Sequence, residues 1–179
     1  MRTLSLTAAI TLCLAATATT AQNVGASIAI PCVTEPEAEA LVTSIMPELV
    51  LQAGQLCSGS LPPDALLRQT SGAFLNRYRA EAENAWPQAQ ATISKVGGPI
   101  AQAAVGSALA RPLLATLVAP LITKQLQTAD CPAINRIMTL AEPLPPRNTA
   151  GMIVSILQLS DGKRTDRRVP LPICKPGER

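Results

Sequence analysis

The residues best equipped for chemistry in this chain are its cysteines. Cys32, Cys57, Cys131 and Cys174 are spread along most of its length, and a fifth, Cys13, lies near the start. Thiols serve as metal ligands, nucleophiles or disulfide halves, and their spacing separates these uses. A zinc site needs closely spaced ligand pairs that converge on one point. This chain has no CxxC and no histidine. Without histidine there is also no Ser–His or Cys–His pair for nucleophilic catalysis. The four spread cysteines therefore read as two disulfides, with three pairings open.

Other short matches carry less. "SDGK" places Ser160 three residues before Lys163, which is formally S-x-x-K. The S-D-N and K-T-G partners of that penicillin-binding signature are missing, and an Asp-Gly centre reads as a turn. Gly97-Gly98 runs into a proline rather than a phosphate-binding lysine. Glu35, Glu37 and Glu39 sit where a helix begins, so their charge complements the helix dipole rather than forming a catalytic carboxylate pair. No catalytic residue, metal ligand or cofactor is assigned, and enzymatic activity is not expected.

The compartment follows from the first twenty-one residues, "MRTLSLTAAITLCLAATATTA". A basic start, a short apolar run and small residues after it make a secretory signal peptide. Cleavage is expected after Ala21, with Ala18 the other small-residue position. Leu12 before Cys13 is too bulky for a lipoprotein site. Residues 22–179 are then one domain, of a size that buries roughly 68–70% of its unfolded surface.

A net charge of +3 names no partner, but its distribution is uneven. Residues 22–64 hold Glu35, Glu37, Glu39, Glu48 and Asp64 and no Lys or Arg, whereas residues 161–179 carry six basic side chains against three acidic. Arg164, Arg167 and Arg168 are the candidate surface-binding residues. They are expected to pair with Glu35, Glu37 and Glu39 within the molecule; anionic lipid or polysaccharide is the competing partner. Nucleic acid is not expected, because no aromatics interleave with the basic residues and the chain is exported.

The elements that position these residues read as helices. Only Phe74, Tyr78 and Trp86 are aromatic, so the core must come from Leu, Ile, Val and Ala, which suits close helix packing. "TEPE" at Thr34–Glu37 is a capping box with proline in the first turn, and Leu41, Ile45, Leu49 and Leu56 continue it, with a kink expected at Pro47. A second helix is expected from "DALLRQTSG" onward, its face running through Leu67, Thr70, Phe74, Tyr78, Ala82, Ala85, Ala89, Ile93 and Val96 and bending at Pro87. Gly98-Pro99 starts a new piece. "DCPAINRIMTLAEP" is a short helix entered at Pro132 and stopped by Pro143. "NTAGMIVSILQL" fits a buried strand or a helix; a cap at Asn148 or Thr149 favours helix. The end is an extended, proline-punctuated tail.

Residues 97–122 are the greasiest part of the chain, with Arg111 their single charge. On membrane-insertion scales a central Arg costs about 2.5–3.5 kcal/mol against about 0.3–0.6 gained per Leu, Ile or Val. The nine such residues only offset it, before the prolines and glycines are counted. The stretch is also striped. Leu113, Leu114, Leu117, Val118, Leu121 and Ile122 form one face, expected to meet the core, opposite Arg111, Ala115, Ala119, Thr123 and Lys124. Pro112 and Pro120 are expected to break it. It reads as a core segment and not as a stable membrane span.

Geometry then selects the disulfides. Cys32 and Cys57 flank a helix of about 20 residues, whose ends stand about 30 Å apart. A disulfide needs Cα atoms within about 7 Å. In an up-and-down bundle the end of the first helix meets the start of the fourth, pairing Cys57 with Cys131 and leaving Cys32 for Cys174. The expected fold is all-α, a small disulfide-stapled bundle of four to five helices with proline-rich loops. The expected function is a secreted or periplasmic, non-enzymatic binding or structural module that meets an envelope or extracellular macromolecule. A carrier of a small apolar or lipid ligand in the bundle core is the alternative.

Overall fold

The computed structural model describes residues 31–123, 126–161 and 173–174. Among them are five α-helices: α1 (Glu35–Leu56), α2 (Ala73–Val105), α3 (Ala110–Thr123), α4 (Cys131–Ala141) and α5 (Pro146–Asp161). Short 3-10 turns occupy Leu66–Arg68 and Thr128–Asp130. An isolated parallel bridge, Val33 with Ile173, is the one β-type pairing described. The fold is all-α. The expected signal peptide lies outside the described residues.

Helix α1 begins as its capping sequence dictates. Glu37 Oε2 accepts the Thr34 backbone N–H at 2.8 Å, and Pro36 occupies the first turn, where its missing N–H loses nothing. The helix then runs through Pro47 as one element, contrary to the kink expected there. An interior proline costs about 3 kcal/mol, and packing offsets it. α1 lies against α2, α3 and α5, and Thr43, Ser44, Ile45, Met46 and Pro47 are buried in succession. A helix covered on several sides needs no single apolar stripe. Small residues, Ala38, Ala40, Ser44 and Gly54, let its neighbours approach.

Helix α2 starts at Ala73, later than expected. Gly72 adopts φ +109°, which a side chain at that position disfavours, and the chain before it turns through the 3-10 segment. Leu67 is buried from that segment, and Thr70 is exposed. From Phe74 onward the expected face holds: Phe74, Tyr78, Ala82, Ala85 and Ala89 are buried, joined by Leu75 and Thr92. Phe74 and Tyr78 are a core pair, with ring centroids 4.8 Å apart. Pro87 sits exposed inside the helix and does not interrupt it. The break falls at Gly98, φ +64° and ψ −159°, and helix resumes from Pro99. Proline disfavours α conformation in the residue before it, and glycine alone takes up this backbone freely.

Helix α5 settles the helix-or-strand ambiguity in favour of helix and starts before the expected caps. Pro146 opens it, and the Asn148 N–H bonds the Pro145 carbonyl at 2.9 Å. Helical backbone continues through Ser160 and Asp161, where a turn was expected; Lys163 lies outside the described residues. α5 runs antiparallel to α1, since Gly151 abuts Glu39 while Val154 clusters with Val33 and Ala38. The buried Tyr78 hydroxyl and Thr149 Oγ1, 3.2 Å apart, tie α2 to α5.

Both expected disulfides are present. Cys57–Cys131 joins the end of α1 to the start of α4 with Cα atoms 5.5 Å apart. Cys32–Cys174 joins the segment before α1 to the C-terminal tail at 4.9 Å. Beside the second bridge, the Cys174 N–H bonds the Val33 carbonyl at 2.8 Å. Two disulfides point to an oxidising, extracytoplasmic setting. Among the described residues no helix is long and apolar enough to cross a membrane.

Candidate interaction surface

Of the sequence-derived site residues, the cysteines are placed and are structural. Cys57 and Cys131 are fully buried beside Leu66, Leu67 and Tyr78. Arg164, Arg167 and Arg168 lie outside the described residues. Of the acidic residues expected to meet them, Glu37 has a different partner: Lys95 Nζ on α2 bonds both its oxygens, at 3.0 and 2.8 Å. Burial pushes against ionisation of Glu37. The Lys95 ammonium and the Thr34 backbone N–H outweigh it and hold the carboxyl below its ordinary value.

The surface that composition did not disclose lies on residues 99–120. α3 packs on α1, but it is rolled away from the orientation its leucine stripe implied. Leu114 and Val118 turn inward as expected, together with Ala115 and the partly buried Arg111. Leu113 and Leu117 turn outward, 58% and 70% exposed. Two contacts accompany this roll. Arg111 forms an ion pair with Glu83 of α2. Ala115, 2% exposed, gives a shallow contact that lets the α3 backbone come close. Nor do the prolines break this stretch. The chain leaves the helix at Gly106–Leu109, Pro112 lies near the start of α3, and Pro120 lies within it.

Leu109, Leu113 and Leu117 stand at i, i+4 and i+8, so they align on one face. The Leu113 N–H bonds the Leu109 carbonyl at 3.0 Å, which extends the helical register back to Leu109. Ile100, 86% exposed, belongs to the preceding piece. That piece is fixed to α2 by Gln90, whose Nε2 donates to the Val105 carbonyl at 2.6 Å. Over residues 99–120 fourteen residues are exposed among those described, and none is charged. A soluble surface is roughly 25–35% charged, so a patch of this size would ordinarily carry about four charges. The one charged residue of the stretch, Arg111, is turned inward.

A second exposed apolar set follows on α4 and α5: Ile137, Leu140, Met152, Ile156 and Leu159. It is interspersed with polar and charged positions, Arg136, Thr139, Arg147 and Ser155. A cleft of about 240 Å³ between α1 and the 3-10 turn is lined by Gly54, Gln55, Ser58, Arg68 and Thr70. Among the described residues no group of three or more His, Cys, Asp or Glu converges as a metal site would require. Glu48 Oε2 and Arg111 Nη1 are buried polar atoms without a hydrogen-bond partner.

The hydrophobic period of α3 was visible in the sequence. Sequence reading missed the pairing of Arg111 with Glu83, 28 residues away, and the packing of α3 on α1. Comparison with known protein families, curated proteins and solved structures finds no match to this chain.

Proposed function

We propose that the protein is a non-enzymatic interaction module, secreted or periplasmic, that docks on another macromolecule through the outward face of residues 99–120. The observation that carries this reading is the outward side of α3, where Leu109, Leu113 and Leu117 align and no exposed residue of 99–120 is charged. Leaving such side chains in water forfeits the transfer free energy of each, and contiguous patches of this kind mark interaction sites. Two disulfides suit a small module working outside the cytoplasm.

The test compares capture by the purified protein with capture by its Leu113→Arg and Leu117→Arg variants, from native periplasm or culture medium. Both positions are exposed, so the fold tolerates the change. A macromolecule retained by the wild type and lost by both variants supports the reading. Identical profiles refute it. Native mass spectrometry of the same preparation addresses the carrier alternative, because a co-purified lipid would establish it. Arg164, Arg167 and Arg168 are assigned an intramolecular role beside the acidic start of α1. Loss of binding to anionic vesicles on their reversal to Glu, with unchanged stability, would reassign them to a partner.

A further inference from the structure

We infer that the two disulfides are not equivalent: Cys57–Cys131 is a permanent staple, whereas Cys32–Cys174 is a clasp that a dithiol reductant opens while the helical fold persists. The inference is independent of the 99–120 face. Its basis is access. Thiol–disulfide exchange requires a thiolate to reach one sulfur of the bridge, so a bridge sealed in a core reacts only when that core opens. Cys57 and Cys131 are both fully buried, within the cluster that holds Met46, Val50, Leu67 and Tyr78. Cys32 and Cys174 are both partly exposed, and Pro31 beside Cys32 is exposed.

The bridges also differ in what else holds their ends. Cys57–Cys131 joins α1 to α4, and α4 is held at the same place by the bond from the Leu67 N–H to Asn135 Oδ1. Cys174 belongs to no helix. The described contacts of residues 173–174 are the Cys174 N–H bond to the Val33 carbonyl and the packing of Ile173 on the cluster of Val33, Ala38 and Val154. Without the clasp, α5 keeps its seat on the bundle through Gly151 against Glu39 and Thr149 against Tyr78. Opening therefore lets Ile173 leave and unroofs Val33 and Val154, both 0% exposed in the closed form.

The step balances as thiol–disulfide exchange. A thiolate of the reductant attacks the sulfur of Cys32 or Cys174, the S–S bond breaks, and the departing sulfur takes up a proton. The reductant's second thiol then cleaves the mixed disulfide. Two electrons pass to the protein, which gains two thiols while the dithiol becomes a disulfide.

Dithiothreitol titration of the purified protein without denaturant tests this, with acid quench, alkylation and peptide mapping that reads each cysteine separately, Cys13 included. Cys32 and Cys174 should be alkylated at least about tenfold sooner than Cys57 and Cys131, with far-ultraviolet circular dichroism unchanged. Hydrogen exchange of the singly reduced form should rise over residues 33–41 and around Val154 and stay unchanged in α4. A Cys32→Ser, Cys174→Ser double variant should fold and reproduce that pattern under oxidising conditions. Simultaneous reduction of both bridges, earlier reduction of Cys57–Cys131, or loss of helicity with the first bridge overturns the inference. So does a first reduction that leaves exchange at Val33 and Val154 unchanged, because the clasp would then cover nothing. A double variant that fails to fold makes Cys32–Cys174 a staple like the other and overturns it too.

Discussion

Gly54 of α1 approaches the Leu67 carbonyl so closely that a β-carbon on Gly54 would stand 2.2 Å from that oxygen. The contact seats the 3-10 turn on α1. The same turn is held from the other side by Asn135 of α4, whose Oδ1 accepts the Leu67 N–H at 3.0 Å. Leu67 is thus clamped between two helices by its backbone rather than by its side chain alone. Gly54→Ala should therefore destabilise the protein despite alanine's better helix propensity. The expected loss is about 2–3 kcal/mol, from overpacking against a backbone that has no room to yield. Chemical denaturation checks it; a stabilised variant would contradict the close approach.

The disulfide Cys57–Cys131 closes a loop of 74 residues, and both its cysteines are fully buried. Replacing the pair by alanine should cost about 2–5 kcal/mol. The effect should appear first in α4, which otherwise meets the remainder mainly through the Leu66–Arg68 turn. Hydrogen exchange along α4 is the measurement, with rapid exchange there expected before α1 is affected.

Glu37 links pH to stability at one end of the bundle. Its carboxyl is held below its ordinary value in the fold, so its contribution is complete above the unfolded value, about 4.3, and is lost as pH falls through the depressed folded value. Lys95, its partner, is 35% exposed, which limits the pair to at most about 1 kcal/mol and makes it sensitive to salt. Glu37→Gln should flatten the acid limb of the stability profile by that amount and leave stability near pH 8 lower by a similar one. An acid limb identical to wild type would remove Glu37 from the account.

Glu48 carries an unsatisfied acceptor. Its Oε2 is buried on α1 without a hydrogen bond. Glu48→Gln keeps the shape and removes the charge. The expected result, read by chemical denaturation at neutral pH, is a gain of about 1 kcal/mol. A loss of stability would mean that a water or side chain serves Oε2 in solution.

The sequence by itself determined the features that are local or that rigid rods enforce. Thr34, Pro36 and Glu37 specify the start of α1 because capping involves only residues within one turn. The disulfide pairing was legible because a helix between Cys32 and Cys57 holds them apart, and an antiparallel bundle returns Cys131 to Cys57. The composition fixed the all-α class, since three aromatics and many alanines suit helix packing. Tertiary structure decided what depends on a distant neighbour. Pro47 stays inside a helix whose residues Thr43 to Pro47 are buried in succession, an outcome no local propensity contains. Gly98 breaks α2 where Pro87 does not, because proline forfeits one hydrogen bond while Gly98 leaves helical backbone altogether. Most of all, the roll of α3 belongs to its packing on α1. A periodic stripe states that a helix has two faces, and only the partner across the interface selects which one is buried. Here Leu114, Ala115 and Val118 face the bundle, and Leu113 and Leu117 face out.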